Sequence, residues 1–64
     1  MNLVTGEIVS IAVQDGIRIA RIRVAKAYVR VPLTLVPEAA VGDAVLVESG
    51  VAIGRVMSNQ GEEN

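Results

Sequence analysis

Few side chains in this sequence could take part in catalysis. The chain has no cysteine and no histidine, and its single lysine is Lys26. A serine or threonine hydroxyl needs a neighbouring base to act as a nucleophile, and the sequence offers none of the usual kind. Asp15 and Asp43 are accounted for by turns, while Glu62 and Glu63 lie close to the C-terminus. We therefore expect no catalytic residue, no metal site and no cofactor, and we expect that the protein is not an enzyme.

The cationic side chains are concentrated in one short segment. Five of the six cations lie there, namely Arg18, Arg21, Arg23, Lys26 and Arg30. Such a ribbon could bind an acidic partner or single-stranded nucleic acid, but Tyr28 is the only aromatic residue available for base stacking. The net charge of −1 also argues against general affinity for nucleic acid or anionic membranes. The interpretation we favour is that these cations keep exposed strands from pairing edge to edge.

The composition indicates one small β domain. A chain of 64 residues makes a single domain, and 52% of its residues are apolar. With one aromatic, the core must consist of Val, Ile, Leu and Ala, which suit the narrow interior of a barrel. A chain this short cannot easily bury this much apolar surface. A homo-oligomer that covers the remainder is therefore one of the possibilities. The sequence shows no membrane-spanning apolar run and no secretory signal, so we expect a cytoplasmic protein.

Period-2 patterns and turn residues predict five strands. Asp15-Gly16 predicts a tight hairpin after the first strand. The apolar side of the second strand changes partway along, which predicts a β-bulge near Ala20-Arg21. A short helical or 3₁₀ turn is expected near Pro37. The predicted strands are 7–13, 17–24, 28–32, one within 41–48, and one from 51 to about 57. We expect residues 1–57 to form the domain and residues 58–64 to form a disordered tail.

Four segments, in their order and spacing, resemble a known family. They are the opening Met1–Val9, the crossover Val31–Val36, the phrase Val41–Val47, and Gly50–Ile53. Together they resemble the HypC/HupF family of [NiFe]-hydrogenase maturation chaperones over residues 1 to about 53. The resemblance implies an all-β fold, a small five-stranded antiparallel OB-like barrel in a cytoplasmic protein.

The sequence departs from this family at its chemically important positions. The family carries a cysteine directly after the initiator methionine, which is thought to hold an iron fragment, and here that position is Asn2. The histidine of the family's second phrase corresponds to Glu48. The proline of the opening motif is missing, with Thr5 before Gly6, and 58–64 shows no counterpart of the family's C-terminal helix. Asn2 carries an amide and has no thiolate to offer iron.

The resemblance therefore implies a non-enzymatic accessory chaperone that acts by protein–protein contact and without iron ligation. Its partner would be a maturation scaffold or a metalloenzyme precursor. The partner-binding residues that it implies are Asn2, Leu3, Val4, Thr5 and Glu48. Asn2 can also be interpreted as a polar residue on a free terminus. Two alternatives stay open: a binding module that recognises nucleic acid or an acidic partner through Arg18–Arg30, and a structural homo-oligomer.

Overall fold

The computed structural model describes residues 3–56, which form one five-stranded antiparallel sheet. The strand order in the sheet is β3-β2-β1-β4-β5. This confirms the predicted all-β class. The predicted end of the last strand at Met57 and the predicted tail 58–64 lie outside the described residues. The strands are β1 (Leu3–Gln14), β2 (Ile17–Val24), β3 (Ala27–Pro32), β4 (Ala44–Glu48) and β5 (Val51–Val56).

Tight two-residue turns join β1 to β2 and β4 to β5. Asp15 and Gly16 between β1 and β2 have φ angles of 53° and 79°. Ser49 and Gly50 between β4 and β5 have nearly the same pair, 55° and 79°. Positive φ at both central residues is the signature of the type I′ turn, which matches the twist of the flanking strands. The hairpin predicted from Asp15-Gly16 is therefore confirmed.

The predicted β-bulge near Ala20-Arg21 is wrong, because the extra residue lies on the opposite strand. Pairing through Ala20 and Arg21 is regular, while β1 changes register between Ile8 and Ser10. Val9 is thus the inserted residue. The apolar side of β2 does not change: its inner face runs through Ala20 and Ile22, and Arg18 sits at the end of that face. Because Arg18 is charged, the sequence pattern did not identify its position as part of the inner face.

The crossover between β3 and β4 closes one end of the core. Leu33, Val36 and Ala39 are buried within it, beneath the strands. It consists of successive turns, in which Val36 N–H donates to the Leu33 carbonyl and Ala39 N–H to the Val36 carbonyl. The buried core comprises Ile8, Ala20, Ile22, Val31, Leu33, Val36, Ala39, Val45, Val47 and Ala52.

The helical turn predicted near Pro37 is absent from this crossover. The Arg18 guanidinium donates to the carbonyl oxygens of Pro37 and Ala39, at 2.5 and 3.0 Å. Ala40 N–H donates to the Asp43 carboxylate at 2.9 Å. The Ala39 N–H bond to the Val36 carbonyl therefore closes one isolated turn around Pro37 rather than a helix, and the side-chain hydrogen bonds hold the loop beyond it.

The barrel is open rather than closed. β3 and β5 are the two edges of the sheet, and they approach each other without a ladder of hydrogen bonds between the described residues. Both are short, at six residues each, and β3 ends at Pro32, which has no N–H to donate. Within residues 3–56, no helix is long and apolar enough to cross a membrane.

Candidate partner-binding surface

The pairing of β1 with β4 brings together most of the predicted partner-binding residues. Leu3 lies opposite Glu48 and Thr5 opposite Leu46, while Val4 lies opposite Val47. Asn2 falls outside the described residues, although it directly precedes Leu3 in the chain. Residues from the two ends of the sequence therefore meet at one end of the sheet.

Strand alternation divides these residues between the two faces of the sheet. Leu3 and Thr5 share the outer face with Glu48, whereas Val4 shares the inner face with the buried Val47. Leu3 is 54% exposed and Val4 is 39% exposed, which is high for apolar side chains in a strand. We call Leu3, Thr5 and Glu48 the outer rim. The rim combines an exposed apolar side chain with a carboxylate, a pairing that suits contact with a protein surface.

Val4 belongs to a shallow groove that the sequence did not predict. The groove encloses about 410 Å³ and lies at the end of the core opposite to the crossover. Inward-facing valines from four strands line it, so no single segment of the sequence could reveal it. The only sign of it in the sequence was the high apolar fraction, 52%, in so short a chain. Its lining is Val4, Val24, Ala27, Val29, Arg30, Val31, Val47, Ser49 and Gly50, and we call it the apolar groove.

Gly6 allows β1 to approach β2 beside this groove. A Cβ atom at Gly6 would overlap the Cγ2 atom of Ile22 and lie 2.8 Å from that of Val24. Real Cβ atoms do not tolerate such distances, so the position requires glycine for space. This glycine thus fixes how closely the beginning of β1 packs onto the core.

The residues at this end of the sheet do not fit an iron site. Glu48 supplies one carboxylate there, and the sequence has no thiol or imidazole to add. Among residues 3–56, no group of three or more potential metal-ligating side chains occurs. Iron fragments with soft ligands are held by thiolates, and a lone carboxylate beside apolar residues is a poor replacement. The surface is therefore suited to contact rather than to metal chemistry.

The predicted basic ribbon is not one continuous surface. Arg18 turns inward and binds the crossover through two carbonyl oxygens. Arg23 forms an ion pair with Glu7 at 2.6 Å on the outer face. Arg21 packs over the Tyr28 ring, with its guanidinium carbon 4.6 Å from the ring centroid. Arg21 thus occupies one face of the single aromatic ring, which makes base stacking less favourable.

The fold and this surface define a small open β sheet that presents an apolar groove and a mixed rim. The sequence model of the HupF/HypC family matches residues 4–64, so the chain belongs to this family. The match extends beyond Ile53, where the motif resemblance ended, to the last residue of the chain. No curated protein and no solved structure gave a significant match. Membership suggests a role as a hydrogenase maturation chaperone.

Proposed function

We propose that the protein is a non-enzymatic assembly chaperone that acts by protein–protein contact at the outer rim and the apolar groove. The observation that carries this proposal is the β1–β4 pairing, which sets Leu3 opposite Glu48 on the outer face and Val4 in the apolar groove on the inner face of the same end of the sheet. These are the positions, together with Asn2, where the family resemblance implied partner contact. Family membership supports the same class of function.

Protein contact is favoured over iron transfer because the chain lacks the side chains that ligate iron in its family. Asn2 offers an amide where the family has a cysteine, and Glu48 offers a carboxylate where it has a histidine. An amide does not ionise to a soft ligand at neutral pH, so the chain cannot take an iron fragment by a thiolate. The proposal is that the chain keeps the partner contact of its family and has lost the iron ligation.

The partner on this proposal is a maturation scaffold or the precursor of a metalloenzyme, in the cytoplasm. The apolar groove encloses about 410 Å³ and is lined mainly by valines, which supports a partner that inserts an apolar side chain. The outer rim, on the other face of the same end of the sheet, would add polar contacts that fix the orientation of the partner.

Affinity purification from the native host, with paired variants, tests this proposal. Val4→Asp places a charge in the groove, and Val13→Asp places the same charge at the other end of β1, where Val13 is 65% exposed. We expect the native protein and Val13→Asp to retain hydrogenase precursor or maturation proteins, and Val4→Asp to lose them. Equal retention by both variants, or retention of no maturation protein by the native chain, would contradict the proposal.

A further inference from the structure

Two arginines on the outer face of the sheet have no carboxylate partner among residues 3–56. Arg21 on β2 and Arg30 on β3 are directly opposite each other in the antiparallel ladder. Like charges in such a pair repel each other. Neither arginine forms a salt bridge within residues 3–56, although Arg30 donates a hydrogen bond to the Gln14 side chain at 2.8 Å. Both are exposed, so both guanidinium groups can reach a ligand.

The neighbouring carboxylate does not neutralise this pair. Glu7 is the acidic residue one row away on the same face, and it already binds Arg23 at 2.6 Å. The local charge at Arg21 and Arg30 is therefore positive, although the whole chain carries −1. A site of this sign attracts carboxylates or phosphates.

The surroundings of the pair form a shallow depression with a mixed lining. Ser10 lies opposite Arg21 on β1, so hydrogen-bond donors from three strands form one row. The next row consists of Ala12 and Ile19, which are apolar. The depression encloses about 290 Å³ between these two rows. We call it the arginine row; its lining is Ser10, Ala12, Ile19, Arg21 and Arg30.

We propose that the arginine row binds a short acidic segment of a protein partner, in which a carboxylate lies close to an apolar residue. Each guanidinium can hold a carboxylate through two parallel hydrogen bonds, and the Ser10 hydroxyl can donate a further one. The apolar residue of the segment would rest on Ala12 and Ile19. The positive charge of the two arginines matches the carboxylate of such a segment, and the adjacent apolar row matches its apolar residue.

Nucleic acid is the less suitable ligand. Tyr28, the single aromatic residue, already has Arg21 over one face of its ring, and base-stacking sites normally use several aromatic side chains. Two exposed cations would neutralise few phosphates on a chain whose net charge is negative. The shape and charge of the site thus favour a carboxylate-bearing peptide.

The arginine row is separate from the outer rim, although Arg30 lines both the row and the apolar groove. The inference does not depend on the proposed function. Along β1, Ser10 is roughly 20 Å from Leu3 at 3.3 Å per residue. One partner could contact both surfaces, or two partners could each contact one. The two proposals can fail independently, because the test of the proposed function varies Val4, which is not part of the arginine row, and measures retention of maturation proteins rather than peptide binding.

Fluorescence anisotropy with a labelled peptide tests the arginine row. The probe is a fluorescein-labelled octapeptide, Glu-Leu-Glu-Gly repeated twice, and its counterpart has Gln in place of Glu. We expect binding of the Glu peptide at low ionic strength, weakening with added salt. The Gln peptide should bind at least about tenfold more weakly, because it lacks the charge that the guanidinium groups recognise.

Three variants separate a specific site from general charge. The double variant Arg21→Gln with Arg30→Gln should weaken binding of the Glu peptide by about tenfold or more. Lys26→Gln removes a cation from the β2–β3 turn, and Arg55→Gln removes one from β5, which β1 and β4 separate from β2 in the sheet. Both should change binding by less than about threefold, since neither residue belongs to the row.

Several results would overturn the proposal. One is equal weakening by Lys26→Gln and by the double variant, which would indicate unspecific attraction to positive charge. A second is tighter binding of a labelled oligothymidine than of the Glu peptide. A third is absence of Glu peptide binding at low salt by the native chain. Circular dichroism of each variant checks that these exposed substitutions leave the fold intact.

Discussion

Single residues at the beginning of β1 determine how the candidate surface is built. Gly6 permits the close approach of β1 to β2, and Val4 lines the groove that this approach leaves open. The Leu3–Glu48 pair then forms the outer rim. Gly6 belongs to the opening segment that resembles the family. The structure gives a packing reason for a glycine at this position, which the sequence alone could not supply.

Replacing Gly6 by alanine should destabilise the protein by about 1–3 kcal/mol, because the new methyl group overpacks the core against Ile22 and Val24. Gly54→Ala is the matched control, since a Cβ there meets no atom within 4 Å. The control should be neutral or slightly stabilising. Urea unfolding followed by circular dichroism measures both changes. Equal effects at the two positions would contradict the described packing of β1 on β2.

The substitution Asn2→Cys tests the loss of metal ligation at the residue that the family uses. It introduces a thiol next to Leu3, close in sequence to the rim that contains Glu48. We expect Co²⁺ to give a thiolate charge-transfer absorption with this variant, because thiolates bind such ions and amides do not. The native chain should give none. Strong Co²⁺ binding by the native chain would contradict the assignment of this surface to protein contact alone.

Among the elements, the crossover is the part that sequence reasoning described least well. Its place between the third and fourth strands and the turn role of Asp43 could be predicted from Pro37 and Gly42-Asp43. The hydrogen bonds by which Arg18 holds this loop could not, because Arg18 lies far away in the sequence. The same arginine hid the inner face of β2 and led to the misplaced bulge.

Leucines of the crossover should respond very differently to truncation. Leu33 is 2% exposed and Leu35 is 64% exposed, so they form a matched pair within the same element. Leu33→Ala should cost about 2–5 kcal/mol through lost burial and a cavity, enough to unfold much of so small a domain. Leu35→Ala should change stability by less than about 0.5 kcal/mol. Thermal or urea unfolding measures the difference; a small effect at Leu33 would contradict the closed end of the core.

The two structural roles of the arginines on β2 can also be separated. Arg18→Ala leaves the carbonyl oxygens of Pro37 and Ala39 without their charged donor, and should cost about 1–3 kcal/mol. Arg23→Ala removes an ion pair whose side chains are 51% and 47% exposed, which should cost less than about 1 kcal/mol. Amide hydrogen exchange should quicken in residues 33–43 only for Arg18→Ala. Equal exchange in both variants would show that Arg18 does not hold the crossover.

At the scale of the whole molecule, fold class and function class were predictable to different extents. Turn residues and alternation predicted the all-β chain, and the order of the motifs predicted the family that the sequence model then matched. The open edge between β3 and β5 and the apolar groove could not be predicted, because both depend on how distant strands meet. Membership in the family also left the chemistry undecided, since Asn2 and Glu48 replace its characteristic residues.

The central claim is that the end of the sheet formed by Leu3, Val4 and Glu48 is where this protein contacts its partner. Site-specific photo-crosslinking in the native host tests it most directly, with benzoylphenylalanine placed at position 3 or, as the control, at position 13 on the same strand. The account predicts a crosslink to a hydrogenase precursor or maturation protein from position 3 and none from position 13. Crosslinks to such a protein from position 13 alone, or only to a second copy of this chain from position 3, would contradict it.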